Sequence, residues 1–252
     1  MKTIKISIFI LFLTVAFLAC KDQENYEQTA QEVISVQDNT PSKTINNTVL
    51  SEEDQASLTP DKIVAIFKEG NQRFMNNDLI PREYSSEVRQ SVSAQFPKAI
   101  VLSCVDSRVP VENVFDRGIG DVFVARVAGN FVNEDILGSM EFATKVSGSK
   151  VVLVMGHEHC GAVKAAVDDV KLGNITAMLS KIRPAVEMVE YEGERNSKNA
   201  EFVHMVCESN VKNTMAEIRL NSPIMKEMED AGAIKIKGAI YDMDTGKVTF
   251  LE

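Results

Sequence analysis

Two short stretches carry residue types that can bind a metal: Cys104-Val105-Asp106-Ser107-Arg108 and Gly156-His157-Glu158-His159-Cys160-Gly161. Cys104, His157 and Cys160 offer two soft donors and one borderline donor, a set suited to tetrahedral Zn²⁺. Three protein ligands leave the fourth position open, as catalytic zinc sites do and closed structural ones do not. Taken singly the residues say little, since a lone Cys at a strand end reads as a small buried hydrophobe. Asp106 and Arg108 change that. A buried carboxylate two residues from a metal-bound thiolate is repelled unless a guanidinium holds it, so the pair points to a task beside a metal.

For these ligands to meet, two strand ends must come together. Ala99–Ser103 runs directly into Cys104, and Val151–Met155 into Gly156-His157. With Val122–Val127 they are short, β-branched and apolar on both faces, the pattern of strands buried in a parallel sheet. Ligands of open α/β sheets bind outside the carboxyl ends of the strands, which is where all three ligands fall. Helical spacing lies between and after them. Thr59-Pro60-Asp61 opens a helix that carries Ile63, Ile66, Phe67 and Phe74 on one face. Periodicity predicts further helices over Glu134–Val146, Ile175–Val189 and Ala200–Leu220, and Pro223 opens a short one that stops at Gly232. Ala233–Tyr241 and Lys247–Leu251 flank the turn Met243-Asp244-Thr245-Gly246 and read as an antiparallel C-terminal edge. The fold class is therefore α/β, with a mostly parallel central β-sheet and surrounding helices.

The 252 residues are 44% hydrophobic and 25% charged, enough for a core of ordinary size. A net charge of −9, with no basic run, argues against nucleic acid as a partner. Residues 1–19 read as a signal peptide, with Lys2 and Lys5 ahead of the apolar run Ile6 to Leu18. That run is shorter than a bilayer-spanning helix needs. Phe17-Leu18-Ala19-Cys20 resembles a bacterial lipobox, so Cys20 is the expected lipidation site and the protein is expected to be exported to the periplasm or cell envelope and anchored to a bacterial membrane by lipid. Loss of Lys2 and Lys5 takes the charge from −9 to −11. Residues 20–58 are rich in Gln, Asn, Glu, Asp, Ser and Thr without a sustained period, and read as a flexible tether ahead of a folded domain over 59–252.

The motif set C-x-D-S-R, R-x-A-G-N and G-H-x-x-C-G-A resembles the β-class carbonic anhydrases. The likeness runs from Glu69-Gly70-Asn71-Gln72-Arg73-Phe74 through Pro97–Arg108 and Gly120–Asn130 to Tyr241-Asp242 and Thr245-Gly246. It implies one Zn²⁺ per chain on Cys104, His157 and Cys160, with Asp106 and Arg108 as a catalytic dyad beside it. It further implies reversible hydration of CO₂ to bicarbonate, by a hydroxide formed from zinc-bound water. Gln95 matches a family glutamine that reaches the active site across a dimer interface, so a homodimer or higher even oligomer is expected. Phe123, Val127, Ala128 and Gly129 would help line the apolar CO₂ pocket.

Two positions depart from the family pattern. Phe142 stands where many members have Tyr, which makes the pocket drier. Val101 stands where the subclass with a noncatalytic bicarbonate site has Trp, although Arg126 of that site is present. The expected state is therefore the open one, with Asp106 on Arg108. Hydrolysis of COS or CS₂ on the same scaffold, and a non-catalytic zinc module, remain as alternatives at this point. His159 is expected to face solvent, His204 to be structural, and Cys207 to be a buried thiol that is inert by default.

Overall fold

The computed structural model describes residues 48–252. The expected signal peptide, Cys20 and the tether through residue 47 lie outside the described residues. No helix among the described residues is long and apolar enough to cross a membrane.

The fold is a five-stranded sheet among the described residues, in the order β2-β1-β3-β4-β5. The strands are β1 (Ala99–Ser103), β2 (Val122–Arg126), β3 (Val151–His157), β4 (Lys235–Tyr241) and β5 (Val248–Phe250). The first four are parallel and β5 pairs antiparallel with β4, the C-terminal edge expected from the turn at Met243–Gly246. Successive side chains along a strand point to opposite faces, and β1 shows it. Ile100 and Leu102 join one apolar cluster with Val152, Val154 and Ile236, whereas Ala99 and Val101 join another with Val151, Leu153 and Met155. Helices cover both clusters, so β1 and β3 are buried along their whole length.

Three expectations change. The strand at Val122–Arg126 is half-exposed throughout, because it is the edge of the sheet and not an interior strand. Its apolar sequence could not distinguish the two. The helix expected over Ile175–Val189 is two pieces, α7 (Gly173–Leu179) and α8 (Arg183–Glu187), separated by Ser180–Ile182. Pro184 accounts for the break, since it lacks the N–H that would continue the helix to the Ser180 carbonyl and sits instead in the first turn of α8, where no such bond is needed. The tether expected to reach residue 58 gives way earlier to α1 (Glu52–Ser57), which a Ser51–Asp54 capping box starts. Gln55 of α1 is 8% exposed and its amide donates to the Pro97 and Ser147 carbonyls, so this polar segment belongs to the folded unit.

Further elements follow the predicted pattern more closely. The helix after Asn133 runs as α5 (Glu134–Glu141) and ends in a π-turn at Phe142–Val146. The long helix α9 spans Ala200–Asn221, and α10 (Pro223–Asp230) starts at the expected proline. Short helices α3 (Tyr84–Gln90), α4 (Val111–Val114) and α6 (Gly161–Val167) complete the set described.

The helix opened by Thr59, α2 (Pro60–Met75), is what fixes the loop after β1. Asn71 is buried; its amide donates to the Val114 and Gly246 carbonyls and its oxygen accepts from the Val248 N–H, tying three chain segments together. Arg73 and Arg82 both bind the carboxylate of Asp116, which is 2% exposed. Gly70 lets the helix lie directly on Phe115. A Cβ there would sit 2.0 Å from the Phe115 carbonyl oxygen, a backbone atom that cannot swing aside.

Gly70→Ala should therefore destabilise the fold by about 2 kcal/mol through overpacking, a fall in Tm on the order of 5 °C. Thermal unfolding followed by circular dichroism checks it. An unchanged or raised Tm, as relief of an ordinary mid-helix glycine would give, would contradict the close approach.

Candidate metal centre

The register places the ligands. β1 and β3 pair as far as Leu102 opposite Val154, so Cys104 and His157 lie two and three positions beyond the last paired residues at adjacent carboxyl ends. Cys160 follows at the start of α6, after a turn in which His159 has φ +56. The three donor atoms lie within 4.8 Å of one another, and the residues are 4%, 1% and 1% exposed for Cys104, His157 and Cys160.

Metal is the partner that fits this arrangement. His157 Nδ1 lies 2.8 Å from the Glu158 carbonyl oxygen, which fixes the N–H on Nδ1. Nε2 is then left as a bare acceptor, buried and without a hydrogen-bond partner. A buried polar atom with nothing to bond is costly, and a metal ion at the two sulfurs would remove that cost. The sulfurs show the same need. The hydrogen bond from Cys160 holds the Cys104 thiol well below its ordinary value, with help from the Gly129 and Asp106 backbone, against the opposing effect of burial. Cys160 is pushed upward by that same bond to Cys104, by burial and by the Cys104 charge. Zn²⁺ between the two sulfurs would let both be thiolates.

Asp106 and Arg108 stand beside the ligands in a bidentate pair, Nε to Oδ1 at 2.9 Å and Nη2 to Oδ2 at 2.8 Å, and the Arg108 backbone N–H also donates to Oδ1 at 3.0 Å. These hydrogen bonds, the Arg108 side chain foremost, hold the carboxyl of Asp106 well below the usual carboxylate range. The dyad is less buried than its sequence setting suggested. The Asp106 side chain is 15% exposed and that of Arg108 58%, because the loop after β1 opens to the surface. Water therefore screens part of the charge that burial would have left to the guanidinium alone.

The remaining predicted residues fall in several places. The Gly129 N–H donates to Cys104 Sγ at 3.3 Å, and Arg126 donates to the carbonyls of Cys104 and Val109. Val127 and Ala128 are half-buried in the stretch leading to Gly129. Phe123 meets Phe142 edge-on, ring centroids 6.2 Å apart, in a groove of about 690 Å³ that Ile100, Ala125 and Ile136 also line. Gln95 is exposed, on a shallow cavity with Ser91 and Ile119 whose lining holds none of the three ligands. Val101, the position of the missing Trp, is fully buried.

His159 is exposed near Asp244, and His204 bonds Glu158 through Nδ1 at 2.5 Å. Cys207 is 2% exposed, its thiol pushed up to about 12 chiefly by burial, and it donates to the His157 carbonyl at 3.5 Å. Sequence reasoning passed over Asn210, a buried amide on α9 that donates to the Gly129 carbonyl at 2.8 Å. An Asn at an apolar-facing position of a helix was the available signal.

Comparison with known proteins agrees with this geometry. The sequence profile of the carbonic anhydrase family matches residues 99–248. The chain is 32% identical over 186 residues to carbonic anhydrase 2 of Mycobacterium tuberculosis, covering 71% of this chain and 87% of that protein. It is 33% identical over 187 residues to a carbonic anhydrase of Mycolicibacterium smegmatis, covering 72% and 88%. Among solved structures, the Coccomyxa β-carbonic anhydrase in complex with acetazolamide superposes with a TM-score of 0.59 at 23% identity, covering 77% of this chain and 87% of that one. Two tetrameric β-carbonic anhydrases from Sordaria macrospora are represented by a chain with TM-score 0.57 at 22% identity, covering 65% and 85%.

If the three donors share one ion, Cys160→Ser should take the metal content from one zinc per chain to nearly none, measured by mass spectrometry of the purified protein. Full zinc occupancy in that variant would remove Cys160 from the site.

Proposed function

The chain belongs to the β-class carbonic anhydrase family and catalyses the zinc-dependent hydration of carbon dioxide; from that premise we propose that it works as an exported, lipid-anchored, even-numbered oligomer, with Cys104, His157 and Cys160 as the zinc ligands. The observation that carries the ligand assignment is the convergence of two buried sulfurs on a buried imidazole nitrogen that has no other partner.

When bound, zinc acts as a Lewis acid that lowers the pKa of water from 15.7 towards ~7. The protein's own groups then determine how that water is used. Asp106, ionised and gripped by both arms of Arg108, can only accept hydrogen bonds, so it orients a water hydrogen towards itself and leaves the oxygen lone pair free for carbon. Arg108 keeps the carboxylate turned to a fixed position, and its backbone N–H reinforces the same oxygen. Gly129 N–H on Cys104 Sγ withdraws charge from one sulfur, which offsets part of the donation that makes a two-thiolate site less acidic than an all-imidazole one. Phe123, Val127 and Ala128 offer apolar surface to a substrate with no net dipole.

The oligomer is supported by the edge of the sheet. Phe142 is 49% exposed and Val146 71%, beside the half-buried apolar strand β2, an edge of the kind that natural proteins cover. A second copy there is the occupant we propose, and Gln95, exposed in its own chain, would then reach the metal centre of the neighbour. The tetrameric Sordaria enzymes fit an even-numbered assembly.

Cys20 and the apolar run before it support the anchor. Replacing Cys20 by Ser should move the enzyme from the membrane fraction to the soluble fraction, or leave it unprocessed, and the released protein should sediment as a dimer or tetramer. Unchanged fractionation would refute lipidation, and a monomer would refute the assembly.

A further inference from the structure

Asn210 lies in the middle of α9 and is 1% exposed, yet nothing in the helix requires an amide there. Its Nδ2 donates at 2.8 Å to the Gly129 carbonyl, 81 residues away, while its Oδ1 is buried without a hydrogen-bond partner. Turning the amide over would set oxygen against oxygen, so chemistry fixes which atom faces Gly129. An aliphatic residue would fill the position without an unpaired polar atom. The bond to Gly129 is what an aliphatic residue could not supply.

Gly129 sits in a turn with consequences for the metal centre. The Asn130 N–H donates to the Val127 carbonyl, and Gly129 has φ +83, the pattern of a type II turn with glycine at its third position. A Cβ on Gly129 would lie 2.3 Å from the Ile182 side chain, so the turn is also pressed from behind. The central peptide, between Ala128 and Gly129, carries the N–H that donates to Cys104 Sγ at 3.3 Å. Rotation of that one peptide separates a type II turn from a type I turn. The rotation would take the N–H off the sulfur and bring a carbonyl oxygen round in its place. The following peptide keeps its place in either form, its N–H held by Val127 and its carbonyl by Asn210, and this anchored end sets how far the Gly129 N–H lies from the sulfur.

We propose that Asn210 is a positioning residue for the metal centre: by clamping the Gly129 carbonyl it seats the Val127–Asn130 turn at the distance where the Gly129 N–H stays bonded to the Cys104 sulfur. Asn210 touches neither metal nor substrate. It acts through Gly129, and sets how much charge Cys104 donates and how well the donors are held in place for the ion. The inference rests on the assignment of Cys104 as a zinc ligand.

The test uses Asn210→Leu, close in volume and a good helix former. Its zinc affinity, measured by competition with a chromophoric chelator, should fall about tenfold, the scale on which outer partners of metal ligands act. In the cobalt-substituted protein the sulfur-to-metal charge-transfer band should move to lower energy, because a thiolate without its hydrogen bond gives up charge more readily. A purely structural amide would lower stability and leave both readings unchanged, and that result would overturn the proposal. Should the variant not fold, Asn210→Ala takes its place and the same two readings decide the matter, while wild-type protein loaded with ¹¹³Cd checks the bond on which the proposal rests. The Gly129 amide proton should show a scalar coupling to cadmium through Cys104 Sγ, and its absence would also overturn the proposal. A wild-type protein that binds zinc while failing these tests refutes the role of Asn210 alone, whereas one that binds no zinc refutes the ligand assignment with it.

Discussion

The structure depends on a single electrostatic requirement: two buried sulfurs and a buried imidazole nitrogen need a cation between them. The bond between them holds the Cys104 thiol down and pushes the Cys160 thiol up, and His157 Nε2 has no hydrogen-bond partner. Several groups of the surrounding scaffold are tied down by hydrogen bonds. Cys104 is held at its carbonyl by Arg126 and at its sulfur by Gly129, and His157 is held through Glu158. Binding energy from a metal at such a site is also folding energy.

The sheet explains why the ligands come to one place. Parallel strands carry their carboxyl ends on the same side, so consecutive loops after β1 and β3 can share a ligand without a long excursion. The exposed loop after β1 would be loose without support from the far side. Gly70 brings α2 against Phe115, Asn71 ties that loop to the C-terminal hairpin, and the buried Asp116 draws in Arg73 and Arg82. Residues that carry no chemistry thus hold the Asp106-Arg108 dyad in register with the metal ligands.

Much of this was legible from residue types alone. β1 was read to the residue, and the stretches after two strands gave the candidate donor set, because two Cys and a His beside Asp106 and Arg108 say together what a lone Cys at a strand end does not. What escaped was information held by partners distant in sequence. Whether Val122–Arg126 is an edge or an interior strand depends on which strand lies next to it, and its apolar residues are compatible with both. The polar segment at Glu52–Ser57 gained its place through carbonyls at Pro97 and Ser147, invisible to local composition. The break before Pro184 was local and should have been read. Asn210 was hidden for the opposite reason to the ligands: one amide in a long amphipathic helix resembles a residue at the solvent boundary until the turn it holds is known.

The central claim is that a zinc ion at Cys104, His157 and Cys160, with Asp106 held on Arg108, hydrates carbon dioxide. Stopped-flow hydration of CO₂ by the purified domain, followed across pH before chelation, after chelation and after zinc is returned, tests it most directly. The account predicts activity that disappears with the metal, returns with it, and falls on acidification as one titrating group, since Asp106 stays ionised and paired with Arg108 over that range. Activity that survives complete removal of zinc, or its absence from the zinc-loaded protein, would contradict the account.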